Sequence, residues 1–177
     1  NKNNVIKDNM ITDVAKAGIF LGFEENAEVS GNTIYGIDND NELVAGIMAG
    51  GGSRGDFLGY HNVNAVITGN EISDLSSENG MAGILVDQVQ TNYQDAIEAV
   101  VYFPNVDENM QIINNVVHGL NPSSAGADRV GIHVMTERDP NGGMTDPRVP
   151  EYWTHNDKVI NNTIIINSDN GLINSGA

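Results

Sequence analysis

The sequence predicts an all-β solenoid, a chain wound into successive coils of short strands, because two short phrases recur along it. The first phrase is an Asn with an aliphatic residue three positions before it and another two positions after it. The second phrase is a Gly followed by an aliphatic residue, and one copy comes after each Asn. The Asn residues are Asn9, Asn32, Asn70, Asn115 and Asn162, and the Gly residues are Gly18, Gly46, Gly83, Gly131 and Gly171.

The chemistry around each Asn predicts strands joined by sharp corners. Short Val- and Ile-rich runs bounded by Asn, Gly and Asp are typical of strands and tight turns, because Asn and Gly accept the left-handed backbone conformation. Each coil is therefore expected to contain a strand, a tight turn at the Asn, a second strand, a bend, and a third strand that opens with Gly. Asn9 and Asn32 lie 23 positions apart, which is the length of one coil.

Stacking of these coils follows from their size. A single coil cannot bury its own apolar side, so coils must stack, and stacking places each residue above its equivalent in the neighbouring coil. The five Asn side chains would then form an internal ladder that bonds to neighbouring amides and to turn backbone groups. A β-sandwich with coincidental Asn turns is disfavoured because its strands have no reason to share one Asn register five times.

The repeated phrases resemble the right-handed parallel β-helix repeat of pectate lyases, alginate lyases, polyuronate epimerases, phage tailspikes and many secreted bacterial surface proteins. The resemblance extends from Asn4 to Asn174 and implies an all-β, right-handed, single-stranded parallel β-helix with long loops on one face. It is specific for the fold and not for an activity. We expect one domain over residues 1–177, with about five coils, cut from a longer protein. The resemblance also implies a secreted or cell-surface location.

Composition excludes some partners. The 177 residues, 40% of them hydrophobic, suffice for one domain with a continuous core. With 24 acidic and 8 basic residues, the net charge of −16 argues against nucleic acid, whose phosphates would be repelled. No apolar run approaches the roughly 20 residues of a membrane-spanning helix. Binding of a polyanionic glycan would need divalent cations or a local basic groove.

The longest insertions lie just before or just after the Gly-containing strands, and none interrupts an Asn turn. Loops on both flanks of one sheet would make its outer face the floor of a groove. In the resembled lyases and epimerases, that sheet carries the substrate cleft.

Alternation of side chains along the strands predicts which residues face inward and which face outward. It places Ile6, Ile11, Ala17, Ile19 and Leu21 inward, and an outward row at Phe20, Met48, Leu85, His133 and Ile173. We expect the insertions to fold over Phe20, Met48 and Leu85, since exposed apolar rows require a cover or a ligand.

His133 is the candidate catalytic residue, because imidazole transfers protons near neutral pH. Asp87 is expected on the same face one coil away, and Arg129 and Arg138 are close in sequence. The resemblance implies removal of the C-5 proton of a uronate by His133 or Tyr60, with Arg129 or Arg138 on the carboxylate. The Asp-Pro-His run of mannuronate epimerases and the Asp-Asp and Gly-His-Gly signatures of polygalacturonases are absent, so a non-catalytic surface His stays open.

The other candidate residues lie in the insertions. Arg54, Tyr60 and His61 follow a glycine-rich run, and Trp153 lies in the last excursion; all four are candidates for substrate binding. Asp38 and Asp40 are candidate Ca²⁺ ligands, because carboxylate oxygens suit this hard cation. The acidic stretch lacks the spacing of an EF-hand loop, and an exposed turn explains it equally well.

Three functions remain open from the sequence. The first is a module that binds or processes polysaccharide, with lyase, epimerase or hydrolase chemistry. The second is a non-catalytic structural or adhesive β-helix. The third is a fibre-forming protein whose uncapped ends associate end to end, coil on coil.

Overall fold

The described part of the chain is built from β-strands alone. The structure is a computed structural model that describes residues 1–22, 24–50, 62–88, 108–136 and 156–166, and their side chains except those of residues 87, 88, 135 and 136. The strands are β1 (Val5–Lys7), β2 (Met10–Val14), β3 (Ala17–Leu21), β4 (Glu28–Ser30), β5 (Thr33–Asp38), β6 (Val44–Ala49), β7 (Val66–Thr68), β8 (Glu71–Ser77), β9 (Met81–Gln88), β10 (Gln111–Ile113), β11 (Val116–Val117), β12 (Leu120–Pro122), β13 (Arg129–Thr136), β14 (Lys158–Ile160) and β15 (Thr163–Ile164).

These strands form three parallel sheets. The first sheet has the order β1-β4-β7-β10-β14, the second has the order β2-β5-β8-β11-β15 with β12 also paired to β8, and the third has the order β3-β6-β9-β13. All of the pairings are parallel. Successive coils therefore add successive strands to each sheet. The predicted all-β, coil-on-coil architecture is confirmed as a parallel β-solenoid.

The repeated aliphatic residues stack on one another in the interior. In the first sheet, Ile6 pairs with Val29 and Val29 with Ile67, and the column continues through Ile112 to Val159. In the third sheet, Ile19, Ile47, Ile84 and Ile132 form a similar column. Val29, Ile67, Ile47 and Ile84 are all 0% exposed. Stacked side chains of the same shape fill the interior as one continuous apolar core.

The internal Asn ladder, called here the inner ladder, is also confirmed. In the first four coils, the backbone N–H and the Nδ2 of the ladder Asn donate to Oδ1 of the Asn in the next coil, at 2.9–3.0 Å throughout. The second Nδ2 hydrogen of Asn70 donates at 3.0 Å to the carbonyl of Val29 in the preceding coil. Asn70 is 1% exposed. Its amide therefore uses both hydrogens and both lone pairs of its oxygen inside the protein.

The sharp turn lies one residue earlier than predicted. The residue with a left-handed backbone is the one that precedes each ladder Asn, because the ladder Asn must aim its own N–H at the next coil. These residues are Asp8, Gly31, Gly69, Asn114 and Asn161, with φ between 53° and 64°. Asp, Asn and Gly are the residues that adopt this conformation most readily.

The Gly of the second phrase is needed for space. A Cβ on Gly83 would collide with the side chain of Val117 and lie 2.6 Å from the carbonyl oxygen of Gly131. The Gly position therefore lets the third sheet approach the aliphatic column of the second sheet. Because this Gly and the Ile after it both face the interior, the preceding Ala does not. The prediction that Ala17 points inward is wrong: Ala17 packs with an outer cluster that contains Ala45 and Ala82.

We expect Asn70→Ala to lower the free energy of unfolding by roughly 1–3 kcal/mol, because it leaves the buried backbone N–H of Asn32 without its acceptor and removes one hydrogen bond from the carbonyl of Val29. Chemical denaturation would measure the loss. Asn64→Gly is the matched control: it removes an exposed amide of the same coil and keeps a residue suited to φ 57°. Its cost should stay below about 1 kcal/mol. Equal losses in the two variants would contradict a stabilising role for the inner ladder.

Gly83→Ala should destabilise the protein by about 3 kcal/mol, since the added methyl group overpacks the contact with Val117 and with backbone. Gly126→Ala is the control, because a Cβ there meets nothing within 4 Å. The control should change the stability by less than about 0.5 kcal/mol. Thermal unfolding of both variants would test this, and an unchanged midpoint for Gly83→Ala would refute the proposed need for space.

Candidate functional site

The outer face of the third sheet carries the predicted row of side chains. Phe20 pairs in register with Met48, Met48 with Leu85, and Leu85 with His133. The predicted fifth member, Ile173, lies outside the described residues. At the spacing of parallel strands, the Cα atoms of Phe20 and His133 are separated by about 14 Å across three strand intervals.

The row is covered in its middle and accessible at one end. Met48 and Leu85 are each 2% exposed and form, with Ala45 and Ala82, a cluster separate from the main core. Their predicted burial is confirmed. The prediction was wrong for Phe20, which is 50% exposed. Phe20 lies on β3, the edge strand of the sheet, and has a neighbouring strand on one side only.

The long insertions are attached to the third sheet. Residues 51–61 follow β6, residues 89–107 follow β9, and residues 137–155 follow β13. Shorter segments, residues 39–43 and 123–128, precede β6 and β13. Extra length therefore enters or leaves the later coils next to this one sheet, as the sequence predicted.

The short turns before the third sheet are tied together across coils. Asn79 Nδ2 donates to the carbonyl of Asp40 at 2.6 Å, and Ser123 Oγ donates to Asp40 Oδ1 at 2.5 Å. Ser77 Oγ donates to the carbonyl of Glu42 at 2.8 Å. One carboxylate oxygen of Asp40 thus accepts a hydroxyl hydrogen.

The described residues contain no group of three or more His, Cys, Asp or Glu side chains arranged to hold a metal ion. Asp38 is exposed at the end of β5, where its backbone pairs with Ser76. Ca²⁺ binding by Asp38 and Asp40 therefore remains a prediction that rests on the sequence.

The residues proposed to act with His133 are only partly described. Asp87 pairs with Met135, two positions beyond the His133–Leu85 pair, and its side chain is outside the described part. The proximity of the His133 and Asp87 side chains therefore stays a prediction.

On β13, Arg129 lies four positions before His133. The register pairs Arg129 with Met81, a residue of the main core. The Cα atoms of Arg129 and His133 are thus about 13 Å apart along the strand. Arg129 and His133 are each half-buried. The remaining candidates, Arg138, Arg54, Tyr60, His61 and Trp153, lie outside the described residues.

A second Asn ladder, here the outer ladder, was not predicted. Each of its members has a left-handed backbone, with φ of 56–58°, and lies on the exposed surface. Each Nδ2 donates to Oδ1 of the Asn in the preceding coil at 3.0–3.3 Å. The residues are Asn3, Asn26, Asn64, Asn109 and Asn156, each six positions before an inner-ladder Asn. This constant spacing is the sequence signal that would have identified them.

A cavity of about 260 Å³ lies at the end of the stack that contains the first coil. Its lining includes the interior residues Ile6, Leu21 and Ala27, together with Phe20 and Glu24. The Glu24 carboxylate accepts hydrogen bonds from Asn1 Nδ2 and Asn4 Nδ2 at 2.9 and 2.8 Å. Leu21 and Ala27 are each 2% exposed, whereas Ile6 is only partly buried, so the apolar interior is only partly accessible at this end of the described solenoid.

Comparisons with protein-family models, curated proteins and solved structures found no match to this chain. Within the described ranges, no helix has the length and apolarity needed to cross a membrane. The class of the protein is thus defined by its architecture, a parallel β-solenoid with two Asn ladders, and its function has to be inferred from its surfaces.

Proposed function

We propose that this protein is a secreted or cell-surface module of the right-handed parallel β-helix type that binds polysaccharide beside the third sheet. In this proposal, the glycan contacts Phe20 on the outer face of β3 and the insertions that follow β6, β9 and β13. Processing of a polyuronate, by lyase or epimerase chemistry, is the form of activity that the sequence resemblance favours.

The observation that carries the proposal is the position of the insertions. Residues 51–61, 89–107 and 137–155 all follow strands of the third sheet. Binding residues are commonly placed on loops that a rigid scaffold positions. The candidate binding residues Arg54, Tyr60, His61 and Trp153 all belong to these insertions.

Phe20 offers an apolar contact surface for a sugar ring at one end of the row. An aromatic side chain that is 50% exposed at the edge of a sheet presents a large, rigid apolar area. Because Met48 and Leu85 are buried, the middle of the row does not act as an open floor. The glycan would therefore contact Phe20 and the insertions, with His133 about 14 Å from Phe20.

The proposed chemistry uses His133 as the base that removes the C-5 proton of a uronate, with Asp87 orienting the imidazole. Arg138 or Arg129 would stabilise the charge that develops on the carboxylate, and Arg138 is the better candidate because Arg129 pairs with a core residue. Ca²⁺ at Asp38 and Asp40 would bridge the acidic surface to substrate carboxylates.

A panel of alginate, pectate and glycosaminoglycans tests the proposal. Binding would be measured by calorimetry, and elimination by the ultraviolet absorbance of the unsaturated uronate product, each with Ca²⁺ and with a chelator. Binding that Phe20→Ala weakens at least about tenfold, the effect of losing about 1.4 kcal/mol, would support the proposed surface. Absence of binding to every glycan would contradict the proposal.

If a glycan is cleaved, His133→Ala should reduce the rate by at least about 100-fold, the usual contribution of a general base, and leave binding nearly unchanged. His118→Ala is the matched control, because His118 lies on the outer face of the second sheet and contacts Glu71 Oε1 at 3.2 Å. Circular dichroism would verify that both variants fold. Full activity of His133→Ala would remove this residue from the mechanism.

A further inference from the structure

The inner ladder ends in unused hydrogen-bonding groups of opposite kinds. At the first coil, Asn9 donates to Asn32, and within the described residues its Oδ1 accepts no hydrogen bond. At the fifth coil, Asn162 Nδ2 donates to the carbonyl of Ile112. Within the same described part, its backbone N–H and its second Nδ2 hydrogen have no acceptor. One end of the solenoid thus presents an acceptor and the other presents donors.

The outer ladder runs in the opposite direction. Its amides donate toward the first coil, since Asn26 donates to Asn3 and Asn156 donates to Asn109. In the described structure, the Nδ2 of Asn3 is therefore left without an acceptor, and the Oδ1 of Asn156 without a donor. Each end of the solenoid carries one unused donor group and one unused acceptor.

We propose that two copies of this chain stack head to tail, the fifth coil of one on the first coil of the next, and so continue both ladders. Asn162 of one copy would donate to Asn9 Oδ1 of the next, and Asn3 of the next copy would donate back to Asn156 Oδ1. Asn9 Nδ2 now bonds to the carbonyl of Lys7 in its own coil. In the stack, it would bond to the carbonyl of Val159, which occupies the position that Ile112 has for Asn162.

The polarity of the ladders selects this orientation. Stacking of two first coils would place Asn9 Oδ1 against another Asn9 Oδ1, two acceptors without a hydrogen between them. Stacking of two fifth coils would oppose donors in the same way. Only the head-to-tail arrangement gives partners to the unused donors and acceptors of both ladders at the junction. It also keeps every strand parallel to its neighbours, as in the rest of the solenoid.

The apolar surfaces of the two ends also match. At the fifth coil, Val159 and Ile164 continue the interior columns, yet they are 50% and 44% exposed. At the first coil, the same columns begin with Ile6 and Ile11, which are partly buried. A stacked coil would cover these side chains as every internal coil covers its neighbours.

Charge does not oppose this contact, although the whole chain has a net charge of −16. Residues 1–22 and 156–166, the described segments of the two end coils, contain the acidic residues Asp8, Asp13 and Asp157, and Glu24 beside the first coil accepts hydrogen bonds from Asn1 and Asn4. The same coils contain Lys2, Lys7, Lys16 and Lys158, half of the eight basic residues. These two segments therefore do not carry the strong negative charge of the whole chain.

Sedimentation velocity of the purified chain over a wide range of concentrations tests the proposal, with electron microscopy for longer stacks. We expect reversible, concentration-dependent association into dimers and linear stacks. A wild-type chain that remains monomeric at every concentration would overturn the proposal and would mean that another occupant, such as further coils of its own chain, covers these ends.

Two variants then test the orientation. Ile164→Lys at the fifth coil and Ile11→Lys at the first coil each bring a charge into the apolar contact, and each alone should weaken self-association by about 100-fold or more. An equimolar mixture should form dimers and nothing longer, because only one wild-type junction is then available. Persistent dimers of either variant alone would indicate head-to-head or tail-to-tail stacking and contradict the proposal.

Val116→Lys is the matched control, because it adds the same charge at a half-buried outward position of β11, outside the two end coils. It should associate like the wild type. Circular dichroism and thermal unfolding of the monomers would establish that all three variants fold. Equal loss of association in Val116→Lys would assign the effect to net charge and overturn the assignment of the junction to the end coils. None of these three residues lies on the third sheet, so the substitutions leave the proposed glycan contacts unaltered.

Discussion

The hydrogen-bonding needs of one side-chain amide at one corner constrain the whole solenoid. An amide such as that of Asn70 donates twice and accepts twice, and all four bonds go to neighbouring coils. A coil that placed any other residue there would leave buried groups of both neighbours without partners. The corner therefore has to recur unchanged in every coil, and the aliphatic residues on either side of it are held in register with it.

This constraint explains where the chain length is allowed to vary. Successive inner-ladder Asn residues are separated by 23, 38, 45 and 47 positions. The segment from the outer-ladder Asn through the inner-ladder Asn keeps a constant length. Most of the variation falls after the third sheet, where added residues do not alter the register of the corner. Variable surface segments are thus confined beside one sheet, because the ladders exclude them elsewhere.

The inner ladder and the interior columns could be predicted from sequence because stacking converts a repeated phrase directly into a repeated contact. Alternation could not predict the face of Ala17, because Gly18 and Ile19 both face the interior. Position 18 has to be Gly, since a Cβ there would collide with the side chain of Ile34. The outer ladder escaped detection because its Asn residues lack the pair of aliphatic residues, three positions before and two after, that marks the inner ladder. For the candidate site, the sequence placed His133 correctly in line with Leu85. Strict alternation would put Arg129 and His133 on the same face, but Arg129 pairs with the core residue Met81, because the Gly and the Ile between them both face the interior. Periodicity does not encode this irregularity of the strand.

The opposite directions of the two ladders have an electrostatic consequence. Amides aligned along a single ladder add their dipoles, as peptide groups do in a helix, and would leave partial charges of opposite sign at the two ends. In this protein the inner amides donate toward the fifth coil and the outer amides toward the first. The two contributions therefore oppose each other, and each end exposes a donor beside an acceptor. In the proposed head-to-tail stack, a coil of identical pattern would satisfy each end without accumulating a dipole as the stack grows. The ladders would then direct assembly as well as stabilise the fold.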